Sequence, residues 1–467
     1  ANAGAVRLSV AHAADGGRVP QGGPETITDA GVLLSGPGQA TRQVWMDMRG
    51  EKYVQQATGG PIKIEGYDPL KLMKWIRLTG GAPSLSGKDP VGHILFIKNE
   101  FPEVYAKTYK FLEPLDYINL CLTGRYAASY NSIAVHWATD NRDLKKIAYN
   151  DTLLKMNGIE RDKLPDLKQS IDILGPLKKE VAAELGLRED VQVVMGSPDI
   201  PAAAVGSGAV GDFEGHHYIG TSSWIVAHVP FKKTDLFHSI ASIPSAIPDK
   251  YFMINEQEIA GGVLTFLRDN ILYHQDELLS EAAVPDIYKV FDKIAANVPP
   301  GSNKVIFTPW LNGEKTPVDD NTVRACLFNL SLENTREDII RAFMEGVAFN
   351  QRWALTYVEK FMGRPMNPIH MVGGGAASDI WCQIHADVLN RTIKQVEDPI
   401  QTNARGSAFI ASVGLGYMTF DDIPQYIKIQ NTFEPNPDNR RIYDELYDVY
   451  LEIYNKNKSI YKKLNAT

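Results

Sequence analysis

Tyr218-Ile219-Gly220-Thr221-Ser222-Ser223-Trp224-Ile225-Val226 is the stretch on which the fold of this 467-residue chain turns. Its ends are aromatic, apolar and β-branched, and they flank a short Gly-Thr-Ser segment. That is the pattern of a strand, a tight turn and a second strand. Glycine lets a backbone approach a ligand closely, so such a turn can aim N–H groups and two hydroxyls at phosphate oxygens. Plain hairpins use the same residues, and the turn by itself leaves both readings open.

Upstream, the apolar run from Val191 to Met195 predicts a short buried strand, broken by Ser197-Pro198-Asp199. The small residues from Ala202 to Ala209 predict a tightly packed helix. Asp199 sits where strand gives way to helix. A carboxylate there is expected to be partly desolvated, placed either to accept a proton from a substrate hydroxyl or to cap the helix. His216-His217, in a strand, face opposite sides and do not share a metal; no metal-ligand set is expected.

Downstream, strands are predicted around Ile240 to Ile243, Tyr251 to Ile254, Val305 to Phe307 and Ile369 to Val372. Gly261-Gly262 opens a helix reaching Ile271, and free N–H groups at a helix start suit an anion. Thr335 with Asp338 forms a near capping box. The helix it opens has an apolar face of Ile339, Phe343, Val347, Ala354, Val358 and Phe361, and Gly363 and Pro365 stop it. Gly373-Gly374-Gly375-Ala376-Ala377-Ser378 reads as a turn into a helix carrying Ile380, Trp381, Ile384, Val388 and Leu389. It either clears room for a flat or anionic ligand or is a plain tight connection. Tyr443, Tyr447, Tyr450, Tyr454 and Tyr461 recur at helical spacing, a packing stripe.

Towards the start, helices are predicted through Leu70 to Ile76, Val91 to Asn99, and Tyr117 to Leu122 with Gly124 closing the last. Residues 1–44 are rich in Ala and Gly and read as loops and weak strands, Ala30 to Leu34 among them. They lack the charged and apolar regions of a signal peptide. In Trp45-Met46-Asp47-Met48-Arg49, Asp47 and Arg49 offer an acceptor and a forked donor to polyol hydroxyls, or else form a surface ion pair. Strands and helices alternate, which predicts an α/β protein, and a change of character near Gly211 divides it into 1–211 and 212–467.

Composition narrows the function. Hydrophobic residues are 44% and charged residues 22%, enough for a large core and wrong for a disordered chain or a rod. The net charge of −8 lacks the basic footprint of a nucleic-acid binder. No apolar run approaches the ~18 residues of a membrane helix. Cys121, Cys326 and Cys382 are far apart and odd in number, which argues against a disulfide framework and suits a reducing cytoplasm. Neither a Walker A motif nor a G-x-G-x-x-G helix start is found, so any nucleotide site is of another type.

Several segments gain meaning from their order. Trp45 to Arg49 matches W-x-D-x-R. Pro102-Glu103-Val104-Tyr105, Asp116-Tyr117 and Leu122-Thr123-Gly124 match P-E-v-y, D-Y and L-T-G. Gly196-Ser197-Pro198-Asp199 with Ala202 to Gly208 matches G-x-x-D-x-x-A-x-x-x-G-x-G. Gly220-Thr221-Ser222, Ala260-Gly261-Gly262 through Asp269, Gly313-Glu314-Lys315-Thr316-Pro317, Gly373 to Ser378 and Arg405-Gly406-Ser407-Ala408 follow in sequence. From Trp45 to the end, this set resembles the FGGY carbohydrate kinases, of the xylulokinase and glycerol kinase kind.

The resemblance implies two actin-like (RNase H-like) domains with a cleft between them, the sugar deep in the first and ATP with Mg²⁺ against the second. It implies ATP-dependent phosphorylation of a hydroxyl on a small, pentulose-like sugar or polyol, with Asp199 as general base. Asp47, Arg49 and Asp199 would meet the substrate. Gly220, Thr221 and Ser222 would hold phosphate, and Gly261, Thr265, Gly374 and Ser378 would line the nucleotide. The expected partner is a small molecule, neither nucleic acid nor membrane, and a homodimer is allowed. The family's opening D-x-G-T-x-S turn is not found in residues 1–44, so the expectation is an incomplete first domain and weak or no turnover. Ile200 stands where pentulose kinases often carry a polar sugar-binding residue. The alternatives are a non-catalytic sugar- or nucleotide-binding relative and another actin-like ATPase.

Overall fold

The computed structural model describes residues 9–12 (main chain), 47–64, 66–272 and 286–466. The strand expected at Ala30 to Leu34, and Trp45 and Met46 of the W-x-D-x-R segment, lie outside the described residues.

The first lobe is built from helices around short ladders. Helix α1 (Pro90–Glu100) starts with proline at its first position, where a missing N–H costs nothing. Its residues from Pro90 to Ile97 are all buried. Val91, Ile94, Leu95 and Ile97 pack with Trp75, Phe111, Leu153 and Leu164 in one core. Among the described residues the strands of this lobe pair only in twos: 9–12 with 108–112, 127–129 with 166–168, 139–140 with 148–149, and 173–176 with 192–194. The run expected as a buried strand at Val191 to Met195 is one of these. Only Gln192–Val194 is strand, and Val191 and Gln192 are exposed, because an edge ladder leaves one face to water. The small-residue helix α2 (Asp199–Gly206) is as predicted in kind, and it begins at Asp199 itself.

The second lobe is organised by an eight-stranded mixed sheet. In chain order its strands are β1 (Gly215–Ile219), β2 (Ser223–Val229), β3 (Thr234–Asp235), β4 (Ile240–Pro244), β5 (Tyr251–Ile254), β6 (Ile369–Val372), β7 (Ile393–Val396) and β8 (Ile429–Phe433). Their order across the sheet is β3-β4-β5-β2-β1-β6-β7-β8. β1 runs parallel to β6 and β6 to β7, while the other pairs are antiparallel. Helices α3 (Gly262–Asn270), α4 (Ile287–Asn297), α5 (Arg336–Met362), α6 (Asp379–Leu389), α7 (Thr402–Gly414) and α8 (Arg440–Asn465) complete the lobe. Thr335 and Asp338 close the capping box of α5, and Gly363 ends it in the left-handed region. The tyrosine stripe of α8 is buried core. Tyr450 stacks near Trp310, Phe349 and Trp353, and its hydroxyl donates to Asn350 at 2.9 Å.

The two faces of this sheet look at different things. His217, Ile219 and Ile225 share a face, and Ile219 and Ile225 belong to the core with α5 and α6. His216, Tyr218, Trp224 and Val226 share the other face, turned to the first lobe, where Val226 packs with Ala204 of α2. There His228 and His370 bond the carbonyls of Ala209 and Ser207 just beyond α2, at 2.9 and 2.8 Å. Helix α2 itself crosses α7 with the two backbones in contact. A Cβ on Gly206 would lie 2.0 Å from the Thr402 carbonyl oxygen, and one on Gly406 would lie 1.8 Å from that of Ala202. Only glycine permits that approach. Among the described residues no helix is long and apolar enough to cross a membrane.

Candidate active site

The Gly220 turn is stitched to a second segment through main-chain bonds. Ser223 and Gln257 exchange N–H···O bonds of 3.1 and 2.9 Å. The N–H groups of Ala260 and Gly261 then donate to the carbonyls of Thr221 and Gly220, at 2.7 and 2.8 Å. A Cβ on Gly261 would sit 2.4 Å from the Gly220 oxygen, so this strap needs glycine to lie so close. The third glycine turn arrives from the other side. Gly373 has φ +88°, and a Cβ there would be 2.5 Å from the Ile219 carbonyl oxygen. Three segments separated in sequence therefore meet around Ile219, Gly220 and Thr221. Thr221 and Gly374 are exposed, and a Cβ on Gly374 would meet nothing within 4 Å.

The side chains assigned to the nucleotide differ in their freedom. Thr265 is exposed on α3, with its hydroxyl 3.1 Å from that of Tyr288 on α4. Ser378 is committed: its oxygen accepts the Trp381 N–H as the cap of α6, and its hydroxyl donates to Asp292 at 2.6 Å. Ser222 is half-buried within the turn.

Asp199 corrects both sequence expectations about its setting. It is exposed rather than desolvated, and it is the first residue of α2 rather than its cap. Pro198 holds the cap position, and one Asp199 carboxylate oxygen accepts the Ile200 N–H at 2.9 Å. An acid in the first turn is favoured by the helix dipole. Tyr218 links this acid to the Gly220 turn. Its ring covers Gly220, where a Cβ would be 2.7 Å from Cε1 and 3.3 Å from the hydroxyl. Burial and then the negative charge of Asp199 raise the Tyr218 phenol above its usual range.

Asp47 and Arg49 are spent on each other, the ion-pair outcome. The Arg49 Nε lies 3.0 Å from both carboxylate oxygens, and the guanidinium rests 4.6 Å from the centre of the Phe96 ring. Burial would raise the Asp47 carboxyl, but the bonds from Arg49 outweigh it and hold it below its ordinary value. The pair is half-sunk: the Asp47 side chain is only 6% exposed, while that of Arg49 is 34% exposed.

Residues 217–415 match the C-terminal domain of the FGGY family of carbohydrate kinases, and residues 81–206 match its N-terminal domain. The chain belongs to the FGGY family. It is a carbohydrate kinase, and kinases of this family use ATP. It is 29% identical over 381 residues to a xylulose kinase of Staphylococcus epidermidis, covering 79% of this chain and 71% of that protein. It is 27% identical over 366 residues to a gluconokinase of Bacillus subtilis, covering 78% and 70%. A ligand-bound xylulose kinase from Lactobacillus acidophilus superposes with a TM-score of 0.77 at 25% identity, over 90% of this chain and 80% of that one. The two-domain, actin-like kinase fold expected from the sequence is therefore the fold observed.

Some polar groups near the meeting of the two lobes gained their setting only from the structure, Glu314 having entered the sequence reading solely within Gly313 to Pro317. Glu314 is buried and accepts from the Asn350 side chain and from the N–H groups of Glu258 and Lys315. Burial pushes its carboxyl up to about 8. Lys88 of the first lobe reaches Glu258 of the second, with Nζ 3.1 and 3.3 Å from the two oxygens. A lone lysine and a lone glutamate so far apart in sequence belong to no spacing rule. Tyr218 was read only as part of a strand.

Proposed function

We propose that this kinase transfers the γ-phosphoryl group of ATP to a hydroxyl of a small sugar or polyol of the pentulose kind, with Asp199 as general base. The observation that carries this is the meeting of three glycine turns beside an exposed carboxylate that acts on Tyr218, whose ring covers one of those turns. The hydroxyl oxygen of the acceptor bonds to the γ-phosphorus, the bond from that phosphorus to the β,γ-bridging oxygen breaks, and ADP leaves. Asp199 takes the hydroxyl proton. Phosphoryl transfer asks mainly for positioning and for neutralised charge, which the N–H groups of Thr221 and Ser222 in the Gly220 turn would supply. The N–H groups expected to be free at Gly261-Gly262 are instead spent on the carbonyls of Gly220 and Thr221, so the strap supports the turn rather than meeting phosphate itself.

Gly220, Thr221 and Ser222 hold the phosphates in this reading. Gly261, Thr265, Gly374 and the main chain at Ser378 flank the nucleotide, while Asp47 and Arg49 form a paired wall on the sugar side. The division into a sugar lobe, 1–211, and a nucleotide lobe, 212–467, is part of the same proposal. Among the described residues no three ligating side chains converge. Mg²⁺ would find oxygen donors in the Thr221 and Ser222 hydroxyls of the exposed turn. When bound it would neutralise phosphate charge.

The test is ADP release from ATP across a panel of ketoses, aldonates and polyols. Turnover stimulated by one of them, with tight product stoichiometry, supports the proposal. A sugar that raises the melting temperature without ADP release makes the chain a binding protein. ATP cleavage indifferent to every sugar makes it a different actin-like ATPase.

A further inference from the structure

Two segments that meet across the lobes carry opposite charges in alternation. On the first lobe, Lys88 and Asp89 lie just before α1, in a loop tied down by Asp89, which accepts the Ser84 N–H at 2.6 Å and the Trp137 indole N–H at 2.7 Å. On the second lobe, Glu258 lies in the strap that continues to Ala260 and Gly261. The Lys88 and Glu258 side chains are only 20% and 8% exposed. Lys315 lies on the same side of the second lobe. Burial would lower its ammonium, but the carboxylates of Asp319, Asp89 and Glu256 outweigh this and hold it protonated. Lys315 Nζ itself bonds Asp319 of its own lobe at 2.7 Å, so among these groups the direct pair across the gap is Lys88 with Glu258.

Glu258 is placed where movement would count. One residue before it, Gln257 pairs with Ser223 at the end of the phosphate turn, and two residues after it, Ala260 donates to Thr221. Its own N–H is held by Glu314 at 3.2 Å. A pull on the Glu258 side chain is a pull on the strap under Gly220 and Thr221. The other end of that pull, Lys88, is the chain neighbour of Asp89, which accepts the indole N–H of Trp137, a member of the first lobe's core.

We propose that Lys88 and Glu258 form an interlobe clasp that positions the phosphate strap for transfer when the sugar lobe is correctly seated. The inference rests on the kinase reading above and deepens it. Neither residue touches the reacting atoms; both act through the strap, and both are positioning residues. A largely desolvated pair is costly to break from one side, because the remaining charge is left without compensation. Removing both charges together should therefore cost no more than removing one.

The experiment compares Lys88→Met, Glu258→Gln, the double variant and Lys88→Arg in the full chain. Each single neutral substitution is expected to lower sugar-stimulated kcat about tenfold, with the KM for ATP within about twofold. The ratio of sugar-dependent to sugar-independent ATP cleavage should fall with it. The double variant should match the worse single, and Lys88→Arg should stay near wild type. Losses that multiply in the double variant, or an unchanged cleavage ratio, overturn the clasp. If the wild-type chain cleaves ATP with no sugar of the panel, the kinase reading fails separately. The clasp is then judged on thermal unfolding: equal loss of Tm in the double variant and a single supports it, and additive losses overturn it.

Discussion

Around Gly220 the polypeptide is fixed main chain to main chain by two other segments, whereas Asp199, on the other side of the candidate site, is a single exposed side chain at the start of a helix. The first arrangement tolerates few changes at its glycines and is largely indifferent to the side chains around it. The second depends on one functional group and on where its helix points. A phosphate-holding surface made of peptide groups needs no titration and little reorganisation, which suits charge stabilisation. A base must be able to gain and lose a proton, which suits a group in contact with water until the acceptor arrives.

The largest effect should come from the side-chain half. Asp199→Asn keeps the shape and removes the proposed base, so kcat should fall by about 10²–10⁴, the usual span for general-base catalysis. Nucleotide binding, followed by calorimetry, should change less than about threefold. A variant retaining near-normal kcat would leave Asp199 as a helix-start residue and nothing more.

On the main-chain half, Gly261→Ala forces a methyl to within 2.4 Å of the Gly220 oxygen. Overpacking of this kind costs about 1–3 kcal/mol. Taken up at the turn, that is roughly a 10- to 100-fold loss in kcat/KM for ATP, with the sugar KM little altered. An unimpaired Gly261→Ala enzyme would mean that the strap is looser than its hydrogen bonds imply.

A third comparison concerns the sheet face beneath Tyr218. His216 is fully buried there, with His228 and His370 as its charged-state neighbours, and burial lowers its imidazole to about 3. The folded protein thus keeps His216 neutral, while the unfolded chain protonates it near the ordinary value of ~6.5. Its stability contribution is complete above that value and is lost as pH falls towards 3. On the order of 2 kcal/mol should be gone by pH 5 from this residue alone. His216→Leu should flatten the acid side of a plot of unfolding midpoint against pH; an unchanged slope would point to other groups.

The smallest effect is expected at Ser378. Ser378→Ala deletes the α6 cap and the bond to Asp292, worth about 1 kcal/mol of stability. Because the hydroxyl is already engaged, nucleotide affinity should stay within about twofold. A tenfold loss of affinity would return Ser378 to the ligand.

These contrasts also explain what could be read in advance. The glycines at 220, 261 and 373 announce themselves because no other residue fits those approaches. Thr335 with Asp338 and the α8 tyrosines did so because capping and helical period are local. Local patterns were weaker for the helices at Glu51–Thr58 and Ile287–Asn297, which the sequence reading did not separate from their surroundings. The edge ladder at Gln192–Val194 misled because an apolar run says nothing about which strand will lie beside it. The exposure of Asp199 depends on neighbours brought in by tertiary packing, whereas the pairing of Asp47 with Arg49 is local, two residues apart, and was one of the two readings the sequence left open. Lys88 and Glu258, 170 positions apart, had no sequence sign at all.

The crossing of α2 and α7 has one more implication. With peptide planes touching at Gly206 and Gly406, there is a fulcrum with no rotamers to rearrange. Asp199 sits seven residues along the same rigid rod, about 10 Å from that fulcrum at 1.5 Å per residue. A tilt of about 10° would swing its carboxylate by roughly 2 Å on this lever arm. That is enough to separate a proton acceptor in range of a hydroxyl from one that is merely nearby.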